Sequence, residues 1–149
     1  MAVEFDVCLR RPAVVRNVLD GATGILAPVR LIEIGAAEPV DTSLNSPRTC
    51  VFMSEQGATA SMTVVLVSDV PDEAGLWASF AAARTDGSAF LAALLAASVA
   101  QCVGSGVVDE SNVLGLGREP STDAVVRCLR AVLASSQTLD DAGRKLVGR

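Results

Sequence analysis

The feature that most constrains the fold is a run without a charged side chain that extends from Gly87 to Val108. A helix built from this run has no polar face, so it must be buried on every side. Its most hydrophobic part, Ala89 to Val103, spans about 22 Å at a helical rise of about 1.5 Å per residue, which is short of a ~30 Å membrane core. Ser98 and Gln101 also interrupt the run. We therefore expect a central buried helix and no membrane association.

The segments that precede this helix have the patterns of β-strands. Val3 to Leu9 alternates strictly, with apolar side chains on one face and Glu4, Asp6 and Cys8 on the other. Thr49–Ser54 and Ala60–Ser68 flank the turn Glu55-Gln56-Gly57, which predicts a β-hairpin. The second arm of the hairpin is rich in β-branched residues, and we expect it to be a central strand.

The remaining elements are predicted from breakers, caps and spacing. Pro12 begins a helix that Gly21 and Gly24 are expected to end, and a strand follows. This strand is parallel to the first only if the two are near neighbours. The strand after the first helix is expected at Val29–Ile34. A helix is expected from Asp69, with Leu76, Trp77 and Phe80 on its apolar face. A short strand at Val107–Val108 and helices after Pro120 and from Thr138 complete the predicted elements.

These elements predict an α+β fold in a single globular domain over residues 1–149. The expected sheet is mixed, has four or five strands and is covered by helices mainly on one face. The expected order of elements is β-α-β-β-β-α-α-β-α-α.

The composition removes most of the usual catalytic groups. The chain has no histidine and no tyrosine, and Lys145 is its single lysine. A nucleophile activated by histidine therefore cannot be built from this chain alone, and a lysine Schiff base could form only at Lys145. The glycine pair at Gly21 and Gly24 ends a predicted helix instead of opening one, so it lacks the context of a phosphate-binding loop. We predict no cofactor, and the sequence favours a protein that is not an enzyme.

The cysteines indicate a reducing compartment. Cys8, Cys50, Cys102 and Cys128 are widely spaced, without a C-x-x-C pair, and are expected to be four buried free thiols and not metal ligands. The charged N-terminal segment does not resemble a secretory signal. We therefore expect a cytoplasmic protein, and the bias towards Ala, Val and Arg is typical of a GC-rich bacterial genome.

The net charge of −5 disfavours nucleic acid as a partner and suits a basic protein. The leading hypothesis is a non-enzymatic protein that binds a protein partner, of the adaptor, secretion-chaperone or toxin-neutralising kind. A homo-oligomer, most simply a homodimer, is another hypothesis, because it would bury apolar surface left over by the long helix.

The alternative function is a carboxylate-based small-ligand binder or metal-dependent enzyme. Asp72 and Glu73 at a predicted helix start, and Asp109 with Glu110 after a short strand, could share a cation if the two clusters meet. Helix capping and a solvated turn explain the same residues without a ligand. Trp77 is the remaining candidate binding residue, with a place in the core as the favoured alternative.

Overall fold

The computed structural model describes residues 3–29 and 33–148, and of Glu73 only the backbone. This part of the chain contains five strands and four α-helices. The strands are β1 (Glu4–Cys8), β2 (Ile34–Ala36), β3 (Arg48–Ser54), β4 (Thr59–Val67) and β5 (Gly75–Ala82). The helices are α1 (Val15–Leu26), α2 (Asp86–Val103), α3 (Thr122–Ala134) and α4 (Leu139–Val147).

The strands form one sheet in the order β1-β5-β4-β3-β2. The α+β class and the β3–β4 hairpin are confirmed, and β4 is the central strand as expected. The expectation of a mixed sheet is wrong, because every strand pair is antiparallel. The strands before and after α1 lie at opposite edges, so this crossover forms no parallel pair. Of the strand predicted at Val29–Ile34, residues 30–32 lie outside the described residues, and the observed strand runs from Ile34 to Ala36.

The helix predicted from Asp69 is wrong. The chain makes a single 3-10 turn at Pro71–Glu73 and then enters β5, which pairs with β1 on one side and β4 on the other. The spacing of Leu76, Trp77 and Phe80 suits a helix, but Ala78 and Phe80 are the buried residues of this segment, two positions apart. Hydrogen bonding on both edges of the segment outweighs its local pattern.

The strand predicted at Val107–Val108 is reduced to one bridge between Asp6 and Val108. The backbone N–H of Asp6 donates to the carbonyl of Val108 at 3.0 Å, and the N–H of Val108 donates to the carbonyl of Asp6 at 2.8 Å. The observed order is therefore β-α-β-β-β-β-α-α-α.

Helix α2 is the central buried helix that its sequence predicts. Its residues from Gly87 to Ala100 are all buried, between the sheet and the other helices. Among the described residues it is the one helix long and apolar enough to cross a membrane, and 83% of it is buried inside the protein. The core forms one cluster of buried side chains that includes residues from every helix and from the sheet.

Close helix contacts depend on small residues. Helix α1 does not end at Gly21 or Gly24 but continues to Leu26. Gly21 lies against α2, where a Cβ atom would come within 2.3 Å of Ser98 Oγ. The glycine is therefore a contact point between helices and not a helix terminator. Arg130 of α3 reaches the end of α1, and its Nε donates to the carbonyl of Ile25 at 2.6 Å.

Helix α4 ties the start of α2 to the β3–β4 turn. Its cap is Thr138, as predicted, whose Oγ1 accepts from the N–H of Asp141 at 3.0 Å. Asp140 Oδ1 accepts from the N–H of Gly87 at 2.8 Å, and the N–H of Leu139 donates to Gln56 Oε1 at 2.7 Å.

Candidate functional site

The helices cover one face of the sheet, and in the described part of the chain no helix covers the other, which we call the open face. Alternation along each strand decides which side chains belong to it. In β1, β3, β4 and β5 the buried positions such as Phe5, Phe52, Met62 and Phe80 point to the helices. The open face includes Glu4, Asp6 and Cys8 on β1, Trp77, Ser79 and Ala81 on β5, Thr59, Ser61, Thr63, Val65 and Val67 on β4, and Thr49, Val51 and Met53 on β3.

The strand register arranges these residues in rows across the sheet. The middle row is polar and runs Asp6, Ser79, Thr63, Thr49, with Oγ1 of Thr49 3.3 Å from Oγ1 of Thr63. One flanking row runs Cys8, Trp77, Val65, and the other runs Glu4, Ala81, Ser61, Val51. The acidic residues therefore lie at the β1 edge, whereas Val51 and Met53 on β3 and Val65 on β4 lie on either side of the polar middle row.

Three large aliphatic side chains of the open face are exposed to solvent. Val51 is 38% exposed, Met53 46% and Val65 40%. Leu66 and Val70, on the adjoining β4–β5 hairpin, are 62% and 42% exposed. By alternation Leu66 lies on the other side of β4 from Val65, so Val51, Met53 and Val65 are the exposed aliphatic side chains of the open face itself.

The acidic edge contains Glu4, Asp6 and Glu110. The hydroxyl of Ser79 donates to Glu4 Oε1 at 2.6 Å. Burial raises the pKa of the Asp6 carboxyl; the Ser79 hydroxyl lowers it, while the nearby carboxylates of Glu4 and Glu110 raise it further. Val108 is bridged to Asp6 in the antiparallel sense, so the residues that follow Val108 run towards Glu4. Glu110, two residues after Val108, therefore lies near the Glu4 end of β1. This edge is therefore a concentration of negative charge with no described cation against it.

Trp77 belongs to the open face and not to the core. It is half-buried, lies between Cys8 and Val65 in its row, and contributes to the wall of a cleft of about 140 Å³. Arg10 and Glu119 line the same cleft and bring opposite charges to it. Its helical spacing from Phe80 predicted a place for Trp77 in the core. Because β5 is a strand, Trp77 lies instead on the open face of the sheet.

Asp109 is fully buried and organises the loop that follows it. Its Oδ1 accepts from the N–H of Val113 at 2.9 Å, and its Oδ2 accepts from the N–H of Leu114 at 3.0 Å. Its own N–H donates to the carbonyl of Arg118 at 2.6 Å. Both carboxylate oxygens therefore have backbone partners inside the protein, whereas Glu110 is exposed at the acidic edge.

The two acidic clusters predicted from the sequence do not come together. Asp72 is exposed in the turn before β5, and the side chain of Glu73 lies outside the described residues. The Asp6–Val108 bridge places Glu110 towards the Glu4 end of β1, whereas Asp72 precedes the opposite end of β5, beyond the pair Cys8–Trp77. Within the described part of the chain, no three His, Cys, Asp or Glu side chains group closely enough to hold a metal ion.

Other features lie away from the predicted site residues. A cavity of about 550 Å³ lies between the end of β5 and the start of α2, lined by Val3, Arg84, Asp86 and Val147 among others. None of the four cysteines forms a disulfide; Cys50 and Cys128 are buried as expected, but Cys8 and Cys102 are half-buried. Burial raises the pKa of the Cys102 thiol, and Asp20 raises it further.

The sequence pattern did not lead to a prediction that Val51, Met53 and Val65 are exposed on the sheet, although the apolar runs that contain them indicate apolar side chains on both faces. Both hairpin strands contain continuous apolar runs, Cys50 to Met53 and Val64 to Val67, instead of the alternation of a sheet with one wet face. Such runs place apolar side chains on both sides of the strand.

Comparison of the chain with models of known protein families, with curated proteins and with solved structures gives no match.

Proposed function

We propose that this chain is a non-enzymatic protein-binding module whose partner docks on the open face of the sheet. The observation that carries the proposal is the exposure of three large aliphatic side chains, Val51, Met53 and Val65, on one sheet face that no described helix covers. Burial of such side chains against a partner contributes about 25 cal/mol for each Å² of apolar surface removed from water.

The surroundings of these residues suit an interface. Val51 and Met53 on β3 lie on one side of the polar middle row and Val65 on β4 lies on the other, while the acidic residues lie at the β1 edge. Protein interfaces commonly combine apolar and polar side chains in this way. Trp77, half-buried beside Val65, is the kind of residue that dominates binding energy in interfaces.

A comparison of face variants tests the proposal. The tagged protein is used to capture partners from a lysate of its native host, beside Met53→Ser, Val65→Ser and a matched control, Leu116→Ser. Leu116 is 40% exposed, like Val65, but lies in the loop after Asp109. We expect a stoichiometric partner that the wild-type and Leu116→Ser proteins capture and the two face variants lose. A partner retained by both face variants contradicts the proposal.

A further inference from the structure

We infer that the open face recognises a basic amphipathic segment of its partner, with the apolar side chains of the segment over β3 and β4 and its Lys or Arg residues at the acidic edge of β1. This inference rests on the proposed function and specifies the chemistry of the partner.

The first argument is the separation of charge from apolar surface on a single face. Glu4 lies at one end of a row whose other end is the exposed Val51, three strands away, and Asp6 lies beside Glu4 on β1. Adjacent strands are about 4.8 Å apart, so the two regions are separated by roughly 14 Å. One amphipathic segment or a pair of strands can contact both regions at once.

The second argument is the electrostatic state of the acidic edge. Glu4, Asp6 and Glu110 repel one another, and partial burial of Asp6 adds the cost of desolvating a carboxylate. A cation from a partner relieves both effects, whereas an acidic or neutral partner increases the desolvation without compensation. The nearest cation along β1, Arg10, lines the cleft beyond Cys8 together with Glu119.

The third argument is the overall charge. Each molecule carries −5, so a second copy of this chain placed on the open face would bring like charges together. A basic partner gains from the same charge, both in its rate of approach and in its orientation. Charge complementarity therefore favours a basic partner over a homodimer through this face.

Trp77 provides a direct readout, because it is the single tryptophan of the chain and lies on the open face. The probe is a short synthetic peptide with Val residues in one half and Lys residues in the other, titrated into the full chain while tryptophan emission is recorded. The comparison Val–Glu peptide has Glu in place of Lys, which reverses the charge, and the comparison Ser–Lys peptide has Ser in place of Val, which removes the apolar side chains. We expect saturable binding of the Val–Lys peptide, binding at least about tenfold weaker for either comparison peptide, and loss of affinity with added salt.

Charge-neutralising variants localise the effect. The triple variant Glu4→Gln, Asp6→Asn, Glu110→Gln is compared with Asp20→Asn, Asp41→Asn, Asp123→Asn, which changes the net charge equally but in α1, in the loop before β3 and in the first turn of α3. We expect the first variant to weaken the Val–Lys peptide about tenfold and the second to change its affinity about twofold or less. Equal effects of the two variants, or equal binding of the Val–Glu peptide, would overturn the inference.

Two further outcomes separate this inference from the proposed function. A native partner that requires Met53 and Val65 but binds the triple open-face variant and survives high salt overturns the basic partner and leaves the docking face intact. Light scattering that shows a dimer of this chain, dissociated by Met53→Ser, also overturns the basic partner and identifies a second copy as the occupant.

Discussion

Gly143 of α4 lies directly against Asp86 at the start of α2, so that a Cβ atom on Gly143 would come within 1.8 Å of the Asp86 carbonyl oxygen. This contact brings α4 close enough for Asp140 to accept a hydrogen bond from the N–H of Gly87. The approach of two backbones at this point is possible only because the helix residue has no side chain.

The first prediction follows from that contact. Gly143→Ala should lower the free energy of unfolding by about 2 kcal/mol or more, because the obstructing atom is backbone and α4 must move. The matched control is Gly24→Ala in α1, where a Cβ atom meets nothing within 4 Å. We expect this control to be stabilised by up to about 1 kcal/mol, since alanine is the better helix residue. Urea denaturation measures both changes, and equal effects would contradict the packing argument.

The second prediction concerns the contact between α1 and α2. Gly21→Ala should destabilise the protein, because the new Cβ atom would lie 2.3 Å from Ser98 Oγ, a hydroxyl that donates to the Val18 carbonyl at 2.6 Å. In a Ser98→Ala background the nearest remaining side-chain atom is Ser98 Cβ at 3.4 Å, an ordinary contact. Gly21→Ala should therefore cost much less there, with a coupling of about 1 kcal/mol or more in the double-mutant cycle. Additive effects would show that the two residues do not interact.

The third prediction tests the structural role of Asp109. Asp109→Ala leaves the N–H groups of Val113 and Leu114 without their acceptor inside the protein, and should lower the free energy of unfolding by about 3 kcal/mol. Asp109→Asn keeps one acceptor oxygen and should cost less. Glu110→Ala, at the exposed neighbouring position, should change stability by about 0.5 kcal/mol or less. A loss of stability at Glu110 as large as that at Asp109 would refute this role.

The fourth prediction is a pH dependence at Asp6. Its pKa in the folded protein is raised above the ordinary value of 3.8, so between that value and the raised one the folded state binds more protons than the unfolded state. Stability therefore falls as the pH rises through this window, and the ionised carboxylate costs stability at neutral pH. Asp6→Asn should raise the free energy of unfolding at pH 7, and this gain should shrink as the pH falls and disappear below about 3.8.

The control for this prediction is Asp41→Asn, an exposed carboxyl outside the open face. Denaturation of both variants and the wild type over a series of pH values gives the comparison. A gain for Asp6→Asn that is independent of pH would mean that the benefit comes from something other than the loss of charge.

The sequence alone determined those elements whose pattern is strong and local. Strict alternation identified β1, the turn glycine at Gly57 with its positive φ of 86° separated β3 from β4, and the uncharged run required a helix buried on all sides. The cap at Thr138 was likewise readable, because a hydroxyl that accepts from the N–H three residues later needs no distant partner.

Only the tertiary structure decided the remaining elements and the candidate site. The spacing of Leu76, Trp77 and Phe80 predicted a helix, but pairing with β1 and β4 made the segment a strand, which moved Trp77 from the expected core to the open face. Asp109 is buried and accepts hydrogen bonds from the backbone of the loop that follows it. The bridge between Asp6 and Val108, residues far apart in the chain, brings Glu110 to the edge that contains Glu4 and Asp6. Such contacts depend on which strands become neighbours, and neighbour choice is a property of the whole packed core that no local pattern encodes.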